Sequence, residues 1–231
     1  MKNIVYAGPS WANRSFDEDP DAPVTNLLAE LDLTAIDVSQ CGAGNLEMLS
    51  RVYEQIVRGE ITGNPVDGIV WVYCEPLVEM ELAGKDVMQD FLVNTDWNRY
   101  WSLNDKILDL ISSIGLPVAL IGAHADITQT KARSNITVIH DSWQRYLVDS
   151  IGYDYLDGWK EPGWGAEITH RWTADLSVNP SPDLARRESE SFMVWSLLQE
   201  QGLWYVCHPT YTGTQMFANE IRSNFETWRN G

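Results

Sequence analysis

The chain reads as an α/β protein, a three-layer α/β/α sandwich around a central parallel sheet of about five strands. Three observations predict this. Five short apolar runs rich in β-branched residues recur along the chain, and longer segments with helical spacing alternate with them. The runs are apolar on both faces, as strands covered by helices on each side must be. With 231 residues the chain can bury one substantial core, so a single domain over 1–231 is expected.

The first strand is predicted over 3–7, where Ile4-Val5-Tyr6-Ala7 stops at Gly8-Pro9-Ser10. Further strands are predicted at 35–38, 68–73, 117–121 and 136–139. Leu46, Leu49, Val52, Tyr53 and Ile56 keep helical spacing, with Asn45 placed to cap the start. Leu103, Ile107, Leu110, Ile111 and Ile114 form a second stripe, stopped by Gly115 and Pro117. Residues 182–201 read as a third helix closed by Gly202. The last helix is predicted to start at Thr212, with Gln215 completing a capping box and Met216, Phe217, Ile221 and Phe225 as its buried face. Residues 153–175, rich in Gly and Trp and without periodicity, read as an insertion over the edge or mouth of the sheet.

Charge and cysteine usage exclude several classes. The 33 acidic residues outnumber the 16 basic ones and give a net charge of -17, which repels nucleic acid and anionic membranes alike. The opening MKNIVYAG is too short for a signal-peptide core, and no later run reaches the ~18 apolar residues of a membrane helix. A cytoplasmic protein is expected. Cys41, Cys74 and Cys207 are odd in number and widely spaced, which argues against a disulfide framework and a structural zinc site.

Ligands of open parallel sheets bind beyond the carboxyl ends of the strands. Those ends carry Gly8-Pro9-Ser10, the stretch SQCGAGN over 39–45, Cys74-Glu75-Pro76, Gly122-Ala123-His124-Ala125-Asp126 and His140-Asp141-Ser142. A sixth segment, 203–206, delivers Cys207-His208-Pro209 before the last helix. Ser10 fits a nucleophile and equally a helix cap. His208 fits a general base or a plain loop residue. Gly42 and Gly44 suit a tight turn, and the same turn exposes amides. Asn45 reads as a cap or a ligand-facing side chain. Glu75 follows a buried strand, as a carboxyl with a raised pKa or a partnered structural carboxylate does. His124, Asp126 and His140 raise a metal reading, but their spacing is common by chance and no metal is expected. In the insertion, Trp159, Trp164 and Trp172 can stack on an apolar or sugar-like substrate or simply clamp their own loop, and His170 shares that ambiguity.

Three of these stretches together resemble the SGNH (GDSL-type) hydrolase superfamily, particularly divergent members from phage genomes. GPSWA matches the nucleophile block after the first strand, and GAGNLEML matches the block whose glycine donates a backbone N–H to the oxyanion. HPTYTGTQMFA matches the terminal block, in which His-Pro precedes a glycine and the last helix. The resemblance implies Ser10 as nucleophile, His208 as base, and the N–H groups of Ser10 and Gly42, or Gly44, as oxyanion donors.

Three positions depart from the pattern. Pro9 stands where the family has Asp, Glu75 where it has the oxyanion Asn, and Tyr205 where it has the Asp that orients the histidine. Asn45, His124, Glu75 and Asp126 remain as supporting groups, the last two as alternative carboxylates.

The implied activity is hydrolysis of an ester, such as an acetyl ester of a carbohydrate or polymer, by a Ser-His acyl-enzyme route without cofactor or metal. Two alternatives stand beside it. One is a catalytically silent phage-encoded binding or structural protein that keeps the SGNH-like fold. The other is a flavodoxin-like or nucleotide-binding module, against which no phosphate-loop or dinucleotide fingerprint follows the first strand.

Overall fold

In the first strand, β1 (Ile4–Ala7), all four residues are buried, so both faces of the sheet must be covered. The computed structural model describes residues 3–74, 76–124, 127, 131–152 and 179–231. Within them β1 is joined by β2 (Ile36–Asp37), β3 (Gly68–Tyr73), β4 (Val118–Gly122) and β5 (Ile136–His140). Every pairing is parallel, in the order β2-β1-β3-β4-β5. The sheet grows one way from β1 and then the other, and this reversal opens a crevice at the carboxyl ends of β1 and β3.

Side-chain alternation splits the core in two. Ile4, Tyr6, Val70, Val72, Ala119 and Ile121 enter one cluster; Val5, Ala7, Ile69, Trp71, Val118 and Leu120 enter the other. The first is covered by α1 (Ser10–Asn13), α2 (Leu27–Glu30), α7 (Trp143–Ser150), α8 (Pro182–Glu200) and α9 (Tyr211–Asn230). The second is covered by α3 (Asn45–Thr62) and α6 (Trp97–Ser112). This is the three-layer sandwich expected from the sequence. Two helices the spacing did not predict, α4 (Pro76–Ala83) and α5 (Lys85–Asn94), form a satellite core with Tyr100 of α6 and Leu184 of α8.

Both expected caps differ. Asn45 is the first residue inside α3, Gly44 holds the cap position, and the Asn45 side chain turns into the core. The last helix starts one residue before Thr212. Thr210 caps it, its hydroxyl accepting from the Gly213 N–H (3.2 Å) while donating to the Gly202 carbonyl (2.6 Å). Gln215 instead donates to the Tyr211 hydroxyl at 2.6 Å. Thr210 wins because the preceding residues are fixed in a small antiparallel pair, β6 (Trp204–Tyr205) with β7 (His208–Pro209), separate from the main sheet.

No disulfide joins the three cysteines, of which Cys41 is exposed, Cys74 buried and Cys207 half-buried. Among the described residues no helix is long and apolar enough to cross a membrane. The insertion at 153–175, with Trp159, Trp164, Trp172 and His170, lies outside the described residues, as do Glu75 and Asp126.

Candidate active site

The turn that carries Ser10 is shaped by a close approach of two strands. Gly8 sits at φ +155°, and a Cβ there would meet the Ala12 Cβ at 2.7 Å and the Val72 Cβ at 2.8 Å. Glycine alone fits that position. Pro9 then takes the cap position of α1, extended at φ -76°, where its lack of an N–H costs nothing. Trp11 and Ala12 are buried, and the buried Tyr6 hydroxyl donates to the Ala12 carbonyl at 3.0 Å. Burial pushes the Tyr6 hydroxyl well above its ordinary pKa, so it remains a donor. Ser10 is left half-buried at the carboxyl end of β1.

His208 reaches Ser10 from the far end of the sequence. Its Nε2 lies 2.7 Å from Ser10 Oγ, and its Nδ1 lies 2.7 Å from the Val206 carbonyl oxygen. A carbonyl oxygen only accepts, so Nδ1 carries the proton and Nε2 presents its lone pair to the serine hydroxyl. The turn that aims this carbonyl is unusual. Val206 and Cys207 join β6 to β7 with φ of 44° and 66°, the positive pair of a type I′ hairpin, which favours Asn and Gly. A β-branched residue in that region is strained. At Tyr205, where the resemblance calls for an aspartate, the chain carries no carboxylate, and the hairpin turns a main-chain acceptor to the ring instead.

The glycine loop lies along the same rim. The Gln40 N–H donates to the Gly8 carbonyl at 3.0 Å, and Asn13 Nδ2 to the Ser39 carbonyl at 3.4 Å, stitching residues 39–40 to the Ser10 turn. Gly42 is exposed at φ +77° with open space around it. Gly44 is covered by Glu79, whose carboxylate occupies the space a side chain there would need. Glu79 is buried, and its Oε1 accepts from the Leu46 N–H at 3.1 Å, capping α3 from another helix. Burial raises its pKa, an effect the Leu46 and Asn45 amides partly offset.

The remaining candidates separate. Asn45 Oδ1 accepts from Trp71 Nε1 (3.1 Å) and the Cys74 N–H (3.2 Å), and its Nδ2 donates to the Cys74 carbonyl (2.5 Å). It clamps the end of β3 and is neither cap nor ligand-facing group. His124 is buried, with Nδ1 3.1 Å from Gln144 Oε1 and its ring 4.1 Å from Trp11, one residue after Ser10. His140 packs 5.2 Å from Phe217, and its Nδ1 accepts from the Ser142 N–H at 3.3 Å. Burial holds it below the usual imidazole range, against the opposing pull of Asp141, Glu220 and Asp149. Among the described residues no three His, Cys, Asp or Glu side chains gather as metal ligands. A cavity of about 340 Å³ lined by Asn3, Ile36, Arg58 and Asn64, among others, lies at the opposite, amino-terminal edge of the sheet.

Sequence reasoning missed Val206, Glu79 and Phe16, whose ring lies 4.2 Å from that of His208. A carbonyl leaves no trace in a sequence, since every residue has one, and neither Glu79 nor Phe16 belongs to a recognisable motif.

No protein-family model matches the sequence, and no curated protein is significantly similar to it. Among the solved structures that are loosely similar to the chain are two that match along nearly their whole length. One is an acetyl xylan esterase, AlAXEase, with 12% identity, a TM-score of 0.38, and coverage of 96% of this chain and 98% of that one. The other, assigned as a GDSL-like lipase from Parabacteroides merdae, has 12% identity, a TM-score of 0.33, and coverage of 96% and 95%. At these values neither chain's activity transfers to this one.

Proposed function

We propose that the chain is a serine hydrolase that cleaves an ester, the acetyl ester of a carbohydrate or polymer being the first substrate class to test. The carrying observation is the 2.7 Å contact between Ser10 Oγ and His208 Nε2, with the ring's tautomer set by the Val206 carbonyl. In this reading Ser10 Oγ attacks the ester carbonyl carbon while its proton passes to His208 Nε2. The backbone N–H groups of Ser10 and Gly42 receive the oxyanion, whose charge develops only in the transition state. Gly44, lying under the Glu79 carboxylate, is the weaker donor, because that charge opposes an oxyanion. His208 then protonates the departing alcohol, and the acyl-enzyme is hydrolysed by water with His208 again as base. The order of the three SGNH-like stretches in the sequence supports the same assignment.

The test is labelling by a fluorophosphonate probe, read by intact mass and peptide mapping. Wild type is expected to label once, at Ser10. Ser10→Ala should abolish labelling, and His208→Ala should slow it by roughly 10³-fold or more. A wild type that stays unlabelled across a broad pH range overturns the hydrolase reading.

A further inference from the structure

Segment 14–17 leaves the helix that carries Ser10 and runs directly onto the element that carries His208. At its start the Arg14 N–H donates to the Ser10 carbonyl at 3.4 Å. At its end the Phe16 N–H donates to the Pro209 carbonyl at 3.1 Å, and an Asp17 carboxylate oxygen accepts from the Tyr211 N–H at 2.9 Å. Between these ties, the Phe16 ring packs against the imidazole of His208 with centroids 4.2 Å apart and planes inclined by 36°. The exposed Arg14 guanidinium lies over the same phenyl ring, 4.7 Å from its centroid.

Resting on the hydrolase reading above, we infer that Phe16 is a positioning residue for His208, and that segment 14–17 is the strap that fixes the base relative to the nucleophile. Hydrogen bonds at Nδ1 and Nε2 lie in the plane of an imidazole. They resist displacement within that plane and resist tilting weakly, because a terminal sp³–sp² torsion has broad wells. A ring laid on the imidazole face blocks the tilt. Phe16 thereby supplies part of the restraint that a buried carboxylate gives the histidine in other serine hydrolases. Arg14 in turn holds the phenyl ring by a cation–π contact. Misplacement of a catalytic group by about 1 Å costs on the order of 10²-fold in rate, which sets the expected size of the effect.

The experiment compares wild type with Phe16→Ala, Phe16→Leu and Phe16→Tyr. Fluorophosphonate labelling is followed to completion, so that the fraction of reactive Ser10 and the rate per reactive Ser10 are obtained separately. In Phe16→Ala the rate per reactive site should fall about 10²-fold and the acid limb of its pH profile should move. Phe16→Tyr should restore the rate to within a few-fold, and Phe16→Leu, with bulk but no flat face, should fall between. A residue that only packs the loop would lower the reactive fraction and leave the rate per site unchanged, and that result overturns the inference.

A second readout does not depend on turnover: ¹⁵N-resolved NMR of the His208 ring. Wild type should give one tautomer, protonated at Nδ1, and Phe16→Ala should give broadened or mixed-tautomer signals. Unchanged ring signals in Phe16→Ala overturn the positioning role whatever the labelling shows. An unlabelled wild type whose ring signals respond to Phe16→Ala sinks the hydrolase reading while leaving Phe16 as the residue that orders this histidine.

Discussion

Ser10 opens a short helix three residues beyond the end of a central strand, whereas His208 lies on a small hairpin outside the main sheet. On the serine side, every residue of β1 is buried, Gly8 threads between Ala12 and Val72, and the Tyr6 hydroxyl ties down the helix that follows. On the histidine side, β6 and β7 contribute two residues each, and the turn between them holds two non-glycine residues at positive φ. Ser10 is therefore held by packing density, which tolerates no added atom at Gly8. His208 is held by a strained turn and a neighbouring aromatic ring, each of which can be altered by a single surface substitution. The two halves of one candidate site should thus respond in opposite ways to substitution.

The sharpest way to break the contrast is at Gly8. Gly8→Ala adds a Cβ into backbone and side-chain atoms of β3 and imposes a left-handed strain, so it should destabilise the fold by about 3 kcal/mol. Urea unfolding measures the loss, and labelling at Ser10 should drop with it. A neutral Gly8→Ala would mean that the serine mount is as forgiving as the histidine mount.

Val206 offers the reverse case. Val206 is 60% exposed, so Val206→Asn removes a β-branched residue from φ 44° without disturbing the core. Asn tolerates that region, and the variant should gain about 1 kcal/mol in stability with labelling unchanged within about twofold. A stabilised variant that labels much more slowly would show that the strain itself aims the Val206 carbonyl.

The smallest effect is expected at Glu79, which lies over Gly44 and caps α3. Burial raises its pKa, so the folded chain binds this proton more tightly than the unfolded chain does. That stabilising contribution is complete below the ordinary carboxylate pKa and is lost as pH rises through the elevated one. Glu79→Gln keeps an acceptor for the Leu46 N–H and does not titrate. The stability of the Gln variant relative to wild type should therefore increase from pH 4 to neutrality, as thermal unfolding across that range would reveal.

Legibility in the sequence follows the same division. The span 68–73 was read to the residue because β3 is central and apolar on both faces. β2 is shorter than the expected 35–38, since it is an edge strand paired only with β1. α4 and α5 escaped because their apolar residues face a satellite core rather than the sheet, which blurs the single stripe on which spacing arguments depend. That Ser10 and His208 stand at facing chain ends was readable from the strand ends. Asn45 was misread because a helix-start asparagine looks the same whether it caps its own helix or clamps a neighbouring strand. The Thr210 cap depended on a hairpin that two-residue strands do not announce.

The β6–β7 pair forms a two-stranded sheet of its own, yet it is anchored in the main core, because Trp204 is buried there with its ring 5.0 Å from that of Trp11, the residue after Ser10. One indole contact thus joins the hairpin that carries His208 to the turn that carries Ser10. Opening the hairpin would unseat a core ring beside the serine, so the two halves of the candidate site are coupled through the interior although no sheet connects them.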